Sequence, residues 1–231
     1  MPDESHSAPR DVRSLRRRWK PVKEGVASDD AHEAVRIRLH RCFSWLARVE
    51  RIEAEGLGAD DAVLIYRWIA FNALYGRWDD RNREPAGDAE SYQRFTRVLH
   101  EHDADGRLGA LVREHRKLFE AIVGDEHLAR HYWKDPDDSA HTRRAERAVR
   151  ELREAIREGR QRAAMDSVLA RVYLARCQLV HGAATFEGKL NRTAMRRCAQ
   201  CMGLLLPTMC EVIIDHAWQT DWGGLCYPPR A

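Results

Sequence analysis

The residue pair best suited to chemistry is Arg176 and His181, separated by four residues in the stretch Arg-Cys-Gln-Leu-Val-His-Gly. A guanidinium stabilises negative charge on phosphoryl oxygens. A histidine, whose pKa lies near neutrality, can give or take a proton in general acid–base catalysis. Arg97 and His102 repeat the same spacing, so the surrounding sequence must decide which pair is functional.

Arg176 falls on the apolar face of a helix predicted from Arg162 to His181. On a helical wheel it lies about 20° from Met165 and on the same side as Val172. A guanidinium left unpaired in a core costs several kcal/mol. We therefore expect Arg176 to meet a carboxylate, a polar network, or an interface that receives an anion.

His181 is followed by Gly182, a typical helix stop. This places His181 in the last turn, where the helix dipole favours the imidazolium form. Two roles are open for it at this point. It either transfers protons or only caps backbone carbonyls at the helix end.

A second unusual residue is Asn72, in the stretch Trp-Ile-Ala-Phe-Asn-Ala-Leu-Tyr-Gly over residues 68–76. This helix is apolar nearly all round, and a buried amide must find hydrogen-bond partners. Asn72 either orients Arg176 or His181, or makes a local contact with the backbone.

The segments 68–76 and 176–182 together resemble the paired core motifs of HEPN domains, in particular the Apea-like kind. The resemblance extends over roughly residues 30–219. It implies an all-α, antiparallel helical bundle with additional helices, which dimerises so that two Arg-x4-His motifs face each other. Many members of this family are metal-independent endoribonucleases.

By this resemblance, His181 would move protons while a ribose 2′-hydroxyl attacks the neighbouring phosphate, and Arg176 would stabilise the phosphoryl charge. Asn72 and Cys177 would support the pair. The product would carry a 2′,3′-cyclic phosphate, and neither metal nor cofactor would be needed. Residues five apart on a helix point about 140° from each other, which favours a composite site in a homodimer.

The sequence also departs from the family pattern. Cys177 stands where Asn, Asp or His is frequent, and Ala183 stands where members paired with nucleotidyltransferase antitoxins carry Tyr. The first departure favours an alternative, a non-catalytic HEPN module that binds RNA or a protein partner. A third hypothesis is a structural helical domain in which Arg176 pairs internally with an acid, such as Glu211 or Asp215.

Helical patterns follow one another along the chain, and no segment shows sustained two-residue alternation. The predicted helices cover residues 28–55, 60–76, 89–102, 108–123, 126–133, 140–159, 162–181 and 191–218. The helix over 60–76 is expected in the middle of the bundle because its apolar residues surround its axis. The fold class is therefore all-α.

Three regions are predicted: a flexible basic arm over 1–27, a helical domain over 28–219 and a tail over 220–231. The arm either contacts phosphates or is merely a solvated terminus. The 231 residues carry 39 basic and 36 acidic side chains, a net charge of +3. This whole-molecule field is too weak to attract nucleic acid, so RNA affinity must be local.

The six cysteines and the N-terminal composition indicate an intracellular protein. No secretory signal and no transmembrane helix are expected, which predicts a cytoplasmic location. Cys198 and Cys201 could supply half of a zinc site, but no second pair or His-x3-His accompanies them. We expect them to be reduced and metal-free.

Overall fold

A computed structural model describes residues 11–25, 30–189 and 191–227, and most of them are helical. The ten α-helices of these segments are α1 Val12–Gly25, α2 Asp30–Ala54, α3 Asp60–Tyr75, α4 Asp88–Glu101, α5 Arg107–Glu114, α6 Arg116–Val123, α7 Arg130–Lys134, α8 His141–Arg157, α9 Gln161–Val180 and α10 Arg192–Val212. Two short strands, β1 Trp78–Asp79 and β2 Glu84–Pro85, pair antiparallel in the α3–α4 connection. The predicted all-α class is confirmed.

Helix α3 is the centre of the bundle, as its all-round apolar pattern predicted. It packs most extensively against α2 and α10 and also contacts α4 and α9. None of its residues is exposed, and Leu64, Phe71 and Leu74 are almost completely buried. Because α3 is enclosed by neighbouring helices, its one amide, Asn72, must bond within the protein.

Helix α9 lies beside α3 and contacts α4, α5, α6, α8 and α10. Its buried face consists of small and aliphatic residues, among them Ala164, Met165, Val168 and Val172. The helix carries Arg176 near its C-terminal end. It is thus a core helix over most of its length, with Arg162, Ala163 and Ala170 exposed on its outer side and Val180 exposed at its end.

The predicted flexible arm is wrong for the part of it that the structure describes. Helix α1 occupies Val12–Gly25, and Val12, Leu15 and Trp19 are buried against the bundle. These three residues recur at helical spacing, so they form one apolar face. The remainder of the predicted arm, residues 1–10 and 26–27, lies outside the described residues.

Two predicted helices are divided. The helix expected over 108–123 is split at His115 into α5 and α6, and the pattern over 126–133 becomes a 3₁₀ turn, Glu126–Leu128, followed by α7. Helix α10 continues through Pro207 and ends in a π-helical turn, Ile213–Ala217.

The C-terminal segment returns to the bundle through a buried arginine on α2. Arg38 donates to the carbonyls of Leu74 (3.0 Å) and Gly76 (2.7 Å), and to that of Gly223 (2.9 Å). Burial lowers the pKa of Arg38 to about 10, so it stays charged at neutral pH. The guanidinium therefore fastens the end of α3 to the predicted tail, where Trp222 is buried.

One helical stretch, Arg192–Ala217, is long and apolar enough to cross a membrane by length and composition. However, 67% of its most apolar window is buried inside the protein. Such burial is typical of the core helix of a soluble protein, which agrees with the expected absence of a transmembrane helix.

Candidate functional site

Arg176 lies opposite Asp88, the first residue of α4. The closest guanidinium nitrogen is 3.7 Å from Asp88 Oδ2, and the two side chains are 23% and 25% exposed. The third hypothesis required an internal acid for Arg176, with Glu211 and Asp215 as examples, and Asp88 is the acid that pairs with it in the structure. Asp215 instead binds Arg18 and Arg107, so it is not the partner of Arg176.

Asp88 is held from its other side by the motif of α3. Asn72 Nδ2 donates to Asp88 Oδ1 at 3.2 Å, and the hydroxyl of Tyr75 donates to the same oxygen at 2.9 Å. Asn72 Nδ2 also lies 3.0 Å from the Tyr75 hydroxyl. Asn72 therefore reaches Arg176 indirectly, because both contact opposite oxygens of one carboxylate. The local backbone contact considered for Asn72 is not among its side-chain hydrogen bonds to described residues, and its role in orienting Arg176 stays a prediction.

Tyr75 is a donor in this network because its environment opposes ionisation. Burial, followed by the Asp88 carboxylate, raises the pKa of Tyr75 well above its usual value. Its ring packs against Phe71, with centroids 4.7 Å apart, and against Trp68 at 6.2 Å. The aromatic residues of the segment 68–76 thus fix the position of the hydroxyl that orients Asp88.

Gly76 allows α3 to end tightly against Asn72. Its N–H donates to the Asn72 carbonyl at 2.7 Å. A Cβ at residue 76 would lie 2.7 Å from that carbonyl oxygen and 2.9 Å from Asn72 Oδ1. The glycine of the segment is therefore required by space rather than by its backbone angles.

His181 occupies the C-cap of α9, as predicted. Gly182 has a left-handed φ of 70°, its N–H donates to Leu179 O (3.2 Å), and the N–H of Ala183 donates to Gln178 O (2.8 Å). These two bonds form a Schellman motif, which satisfies the last carbonyls of the helix. Backbone groups thus terminate α9 and leave the exposed His181 imidazole available for other partners.

The structure does not bring Arg176 and His181 to one point within the chain. Arg176 faces α4, whereas His181 is exposed to solvent. No side-chain hydrogen bond or ion pair is formed by His181 with any residue that the structure describes. This agrees with the divergence of about 140° expected for residues five apart on a helix.

Cys177 lies beside the pair and is half-buried. Arg176 Nη1 donates weakly to Cys177 Sγ at 4.0 Å. Burial and the neighbouring thiol raise the pKa of Tyr173, whose ring lies 5.9 Å from the guanidinium carbon of Arg176. Cys177 is thus a soft neighbour of Arg176 and a weaker hydrogen-bond acceptor than Asn, Asp or His would be.

One group of possible metal ligands, Asp105, Asp215 and His216, is present among the described residues. Its carboxylates are already engaged: Arg107 contacts both of them, and Arg18 contacts Asp215. A cation would have to displace two guanidinium groups. The arrangement is best understood as an ion-pair network that joins α1, α5 and the end of α10.

Cys198 and Cys201 are fully buried in α10, and burial raises the pKa of both thiols. All six cysteines are unpaired thiols, although Cys42 Sγ and Cys210 Sγ lie 3.7 Å apart. Raised thiol pKa values disfavour the thiolate that a zinc ion requires. The metal-free state of Cys198 and Cys201 stays a prediction.

Asp88 was not among the predicted site residues, because the helix was predicted to begin one residue later, at residue 89. The local signal was the pattern Gly87-Asp88 at a helix start, where an acidic residue in the first turn is favourable. Its contact with Arg176 joins two distant parts of the sequence and could not be inferred from spacing.

Comparisons with protein-family models, with curated proteins and with solved structures found no match for this chain.

Proposed function

We propose that this chain is a HEPN-type, metal-independent endoribonuclease that acts as a homodimer. Arg176 and His181 are the catalytic residues, with Asn72 and Cys177 in support. The cytoplasm is its place of action and bacterial defence or stress response its role. The single observation that carries the proposal is that the two HEPN-like segments meet at Asp88, which bonds Asn72 and Tyr75 with one oxygen and faces Arg176 with the other.

Arg176 is well suited to receive a phosphate. A guanidinium has five N–H donors, and no oxygen accepts a hydrogen bond from Arg176 among the described residues. The contact with Asp88, at 3.7 Å, is an ion pair rather than a hydrogen bond. The carboxylate therefore orients the guanidinium and leaves its donors free for the phosphoryl oxygens of RNA.

The dimer supplies the geometry that one chain lacks. Arg176 and His181 diverge within a chain, so a two-fold axis near the end of α9 is needed to place the histidine of one copy near the arginine of the other. Two apolar side chains beside His181 are exposed, Val180 at 54% and Phe186 at 68%. Their burial between two copies would favour association.

The proposed reaction is an internal transesterification. The 2′-hydroxyl oxygen attacks the adjacent phosphorus, the bond to the 5′-oxygen breaks, and the 2′-proton is removed while the leaving oxygen gains a proton. His181 handles these protons, and Arg176 stabilises the charge that grows on the non-bridging oxygens. The products are a 2′,3′-cyclic phosphate and a free 5′-hydroxyl.

The alternative function is a non-catalytic HEPN module that binds RNA or a protein partner through the same surface. Cys177 favours it, since the thiol lies at 4.0 Å from Arg176 where a polar residue would make a stronger hydrogen bond. In this case Arg176 anchors an anion without chemistry.

Incubation of the purified protein with mixed cellular RNA in excess EDTA separates the two functions. We expect cleavage, with fragments that end in 2′,3′-cyclic phosphate and begin with a 5′-hydroxyl. Intact RNA that remains bound to the protein would instead support the binding module. Cleavage that occurs only with added Mg²⁺ would contradict the proposed mechanism.

A further inference from the structure

A large cavity lies between α4, α8 and α9, with α7 at its edge. Its volume is about 810 Å³, in the range of small-ligand sites. Five alanines contribute to its wall, namely Ala89, Ala148, Ala155, Ala163 and Ala170. Because these side chains are small, the helices leave a partly apolar space between them.

Basic side chains outnumber acidic ones around this cavity. Arg130, Lys134, Arg160 and Arg171 line it, whereas Glu151 is the one carboxylate among its lining residues. Glu151 is neutralised by Arg147 at 2.8 Å. The cavity therefore combines apolar walls with a net positive rim.

Two of these cations have no partner of opposite charge. Arg130 and Lys134 are exposed and form no ion pair with any residue within the described segments. Arg160 pairs with Glu158 at 2.8 Å, and Arg171 Nη1 donates to the Leu128 carbonyl at 2.9 Å. Arg130 and Lys134 are thus the side chains most available to an anionic ligand.

The cavity adjoins the candidate site through shared residues. Tyr173 lines the cavity and lies 5.9 Å from the guanidinium carbon of Arg176. Ala89 lines it and follows Asp88 directly in the chain. The cavity therefore lies next to residues that surround Arg176, at a distance suited to the nucleotides adjoining a phosphate held there.

We propose that the cavity is a binding site for nucleotides, with the bases against the alanine-lined wall and the phosphates on Arg130 and Lys134. This inference rests on the proposed function, since it assigns the cavity to the nucleotides next to the phosphate held at Arg176. Free mononucleotides and RNA share the features that this site would recognise, namely a flat base and a phosphate. Single-stranded nucleic-acid sites combine a basic groove with aromatic side chains on which bases stack, and Tyr92 and Tyr173 line this cavity beside its basic residues.

The test is fluorescence anisotropy with a labelled hexanucleotide of 2′-O-methyl RNA, which cannot be cleaved because it lacks the attacking hydroxyl. We expect the double variant R130A/K134A to bind at least about tenfold more weakly. The slope of log affinity against log salt should become shallower by about 0.7 for each phosphate that the protein no longer neutralises. The matched control is the double variant R51A/K117A, which removes the same two kinds of side chain elsewhere.

Arg51 and Lys117 are exposed, lie outside the cavity and carry the same charge as the tested pair. A second variant, Ala170→Trp, fills the space without removing charge and should also weaken binding at least about tenfold. Ala170 is exposed, so the fold should tolerate the change, and thermal melting checks this. Ala163→Trp, also at an exposed position of the wall, repeats the experiment if Ala170→Trp melts early.

Competition distinguishes the sources of the nucleotide. If adenosine monophosphate displaces the probe at the same nucleotide concentration as RNA does, the ligand of the site is a free mononucleotide. If only oligonucleotides displace the probe, the ligand is RNA. Either result supports the site. The nucleotide site would be overturned if R130A/K134A and R51A/K117A weakened binding of the hexanucleotide equally, or if both tryptophan variants bound it like the parent protein. Tighter binding of an acidic peptide of equal charge would also overturn it.

Binding and cleavage fail independently in this design. If the hexanucleotide binds in the cavity but no RNA is cleaved in EDTA, the nuclease proposal fails and the nucleotide site stands. If RNA is cleaved while the cavity variants bind and cleave like the parent protein, the cavity assignment alone is wrong.

Discussion

At the residue scale, the availability of Arg176 to a phosphate depends on how strongly Asp88 holds its guanidinium. The two side chains are each about one-quarter exposed and 3.7 Å apart, and partly solvated pairs of this kind contribute about 1 kcal/mol or less. A phosphate that makes two charge-assisted hydrogen bonds to the guanidinium exceeds this stabilisation. Asp88 can therefore orient Arg176 without preventing it from binding RNA.

The replacement Gly76→Ala tests the network from the side of α3. The new Cβ would lie within 3 Å of two oxygens of Asn72, so the helix end must shift and the bond from Asn72 to Asp88 must weaken. We expect a decrease of about 1–3 kcal/mol in the free energy of unfolding and slower RNA cleavage. Urea denaturation and a cleavage assay measure the two effects.

Gly109→Ala is the matched control, because its nearest contact is the flexible side chain of Gln161 at 3.2 Å. It lies inside α5 and should be neutral or stabilising by up to about 1 kcal/mol. Equal free energies of unfolding for the Gly76→Ala and Gly109→Ala variants would show that the end of α3 accommodates a Cβ at residue 76 without strain.

The sequence predicted part of this site. Gly182 was sufficient to place His181 at the helix end, since the residues that form a Schellman motif are local. Asn72 was recognised as a buried amide on a central helix, but its partner was not, because Asp88 reaches it only after the chain has passed through the β1–β2 connection. Long-range contacts of this kind leave no periodic signal in a single sequence.

At the scale of elements, α1 is the clearest difference between expectation and structure. Its many basic residues suggested a solvated arm. Among them, the three apolar positions that recur at helical spacing, Val12, Leu15 and Trp19, were not recognised as one face. The backbone N–H of Val12 donates to Glu50 Oε1 at 2.7 Å, and Arg18 bonds Asp215. A helix that is mostly charged can therefore still dock by one narrow face.

The replacement Trp19→Ala tests this docking. Trp19 is 8% exposed and lines a small space with His32 and Trp218, so its truncation should cost about 3 kcal/mol in the free energy of unfolding. Chemical denaturation measures the cost. Arg17→Ala, at an exposed position of the same helix, should change stability by no more than about 0.5 kcal/mol; a similar result for Trp19→Ala would favour the flexible arm.

Two histidines on the α4 and α7 helices should make the fold sensitive to mild acid. Burial lowers the pKa of His100, and burial with the nearby Arg144 lowers the pKa of His131, both from 6.5. Below pH 6.5 the unfolded chain therefore binds more protons than the folded one, so stability falls as the pH falls. The stability that the two neutral histidines contribute is present above pH 6.5. It is lost as the pH falls from 6.5 through their pKa values in the folded protein.

Urea denaturation at pH 7.5 and pH 5.5 checks this prediction. The midpoint should move to lower urea at pH 5.5, and the shift should shrink in His100→Gln, which removes one of the two groups. An equal or higher midpoint at pH 5.5 would contradict the assignment of depressed histidine pKa values. Carboxyl groups titrate mainly below this window.

The order and bounds of most helices followed from the sequence because their apolar periodicity is local. The prediction was accurate to about two residues for α2, α3, α4, α8 and α9. It failed to separate α5 from α6, since apolar residues keep helical spacing on both sides of His115 and no proline or glycine marks the break. Both short helices pack against α9 and α10.

At the scale of the whole molecule, the proposed site needs two copies of the chain. Light scattering at tens of micromolar should give a dimer. Val180 and Phe186, which are close to His181 in the sequence, are exposed apolar side chains, and their burial between two copies would favour association. Mixing Arg176→Ala with His181→Ala should then restore part of the cleavage activity that each variant lacks alone. A mixed dimer contains one site with both residues intact.

A strict monomer that cleaves RNA would contradict the composite site, and so would a dimer whose mixed variants stay inactive. The mixture needs time for subunit exchange, so the variants are best refolded together. The parent protein, refolded in the same way, controls for inactivation during the procedure.

The catalytic roles of Arg176 and His181 are tested most directly by the rate of RNA cleavage in EDTA. The rate is measured for the parent protein, Arg176→Ala, His181→Ala and His102→Ala, and thermal melting checks the fold of each. We predict that the first two variants lose cleavage while they keep the fold. His102→Ala retains it, because His102 contacts Thr220 (3.0 Å) outside the motif. Cleavage by folded Arg176→Ala and His181→Ala at the rate of the parent protein would contradict the account and leave both residues with structural roles.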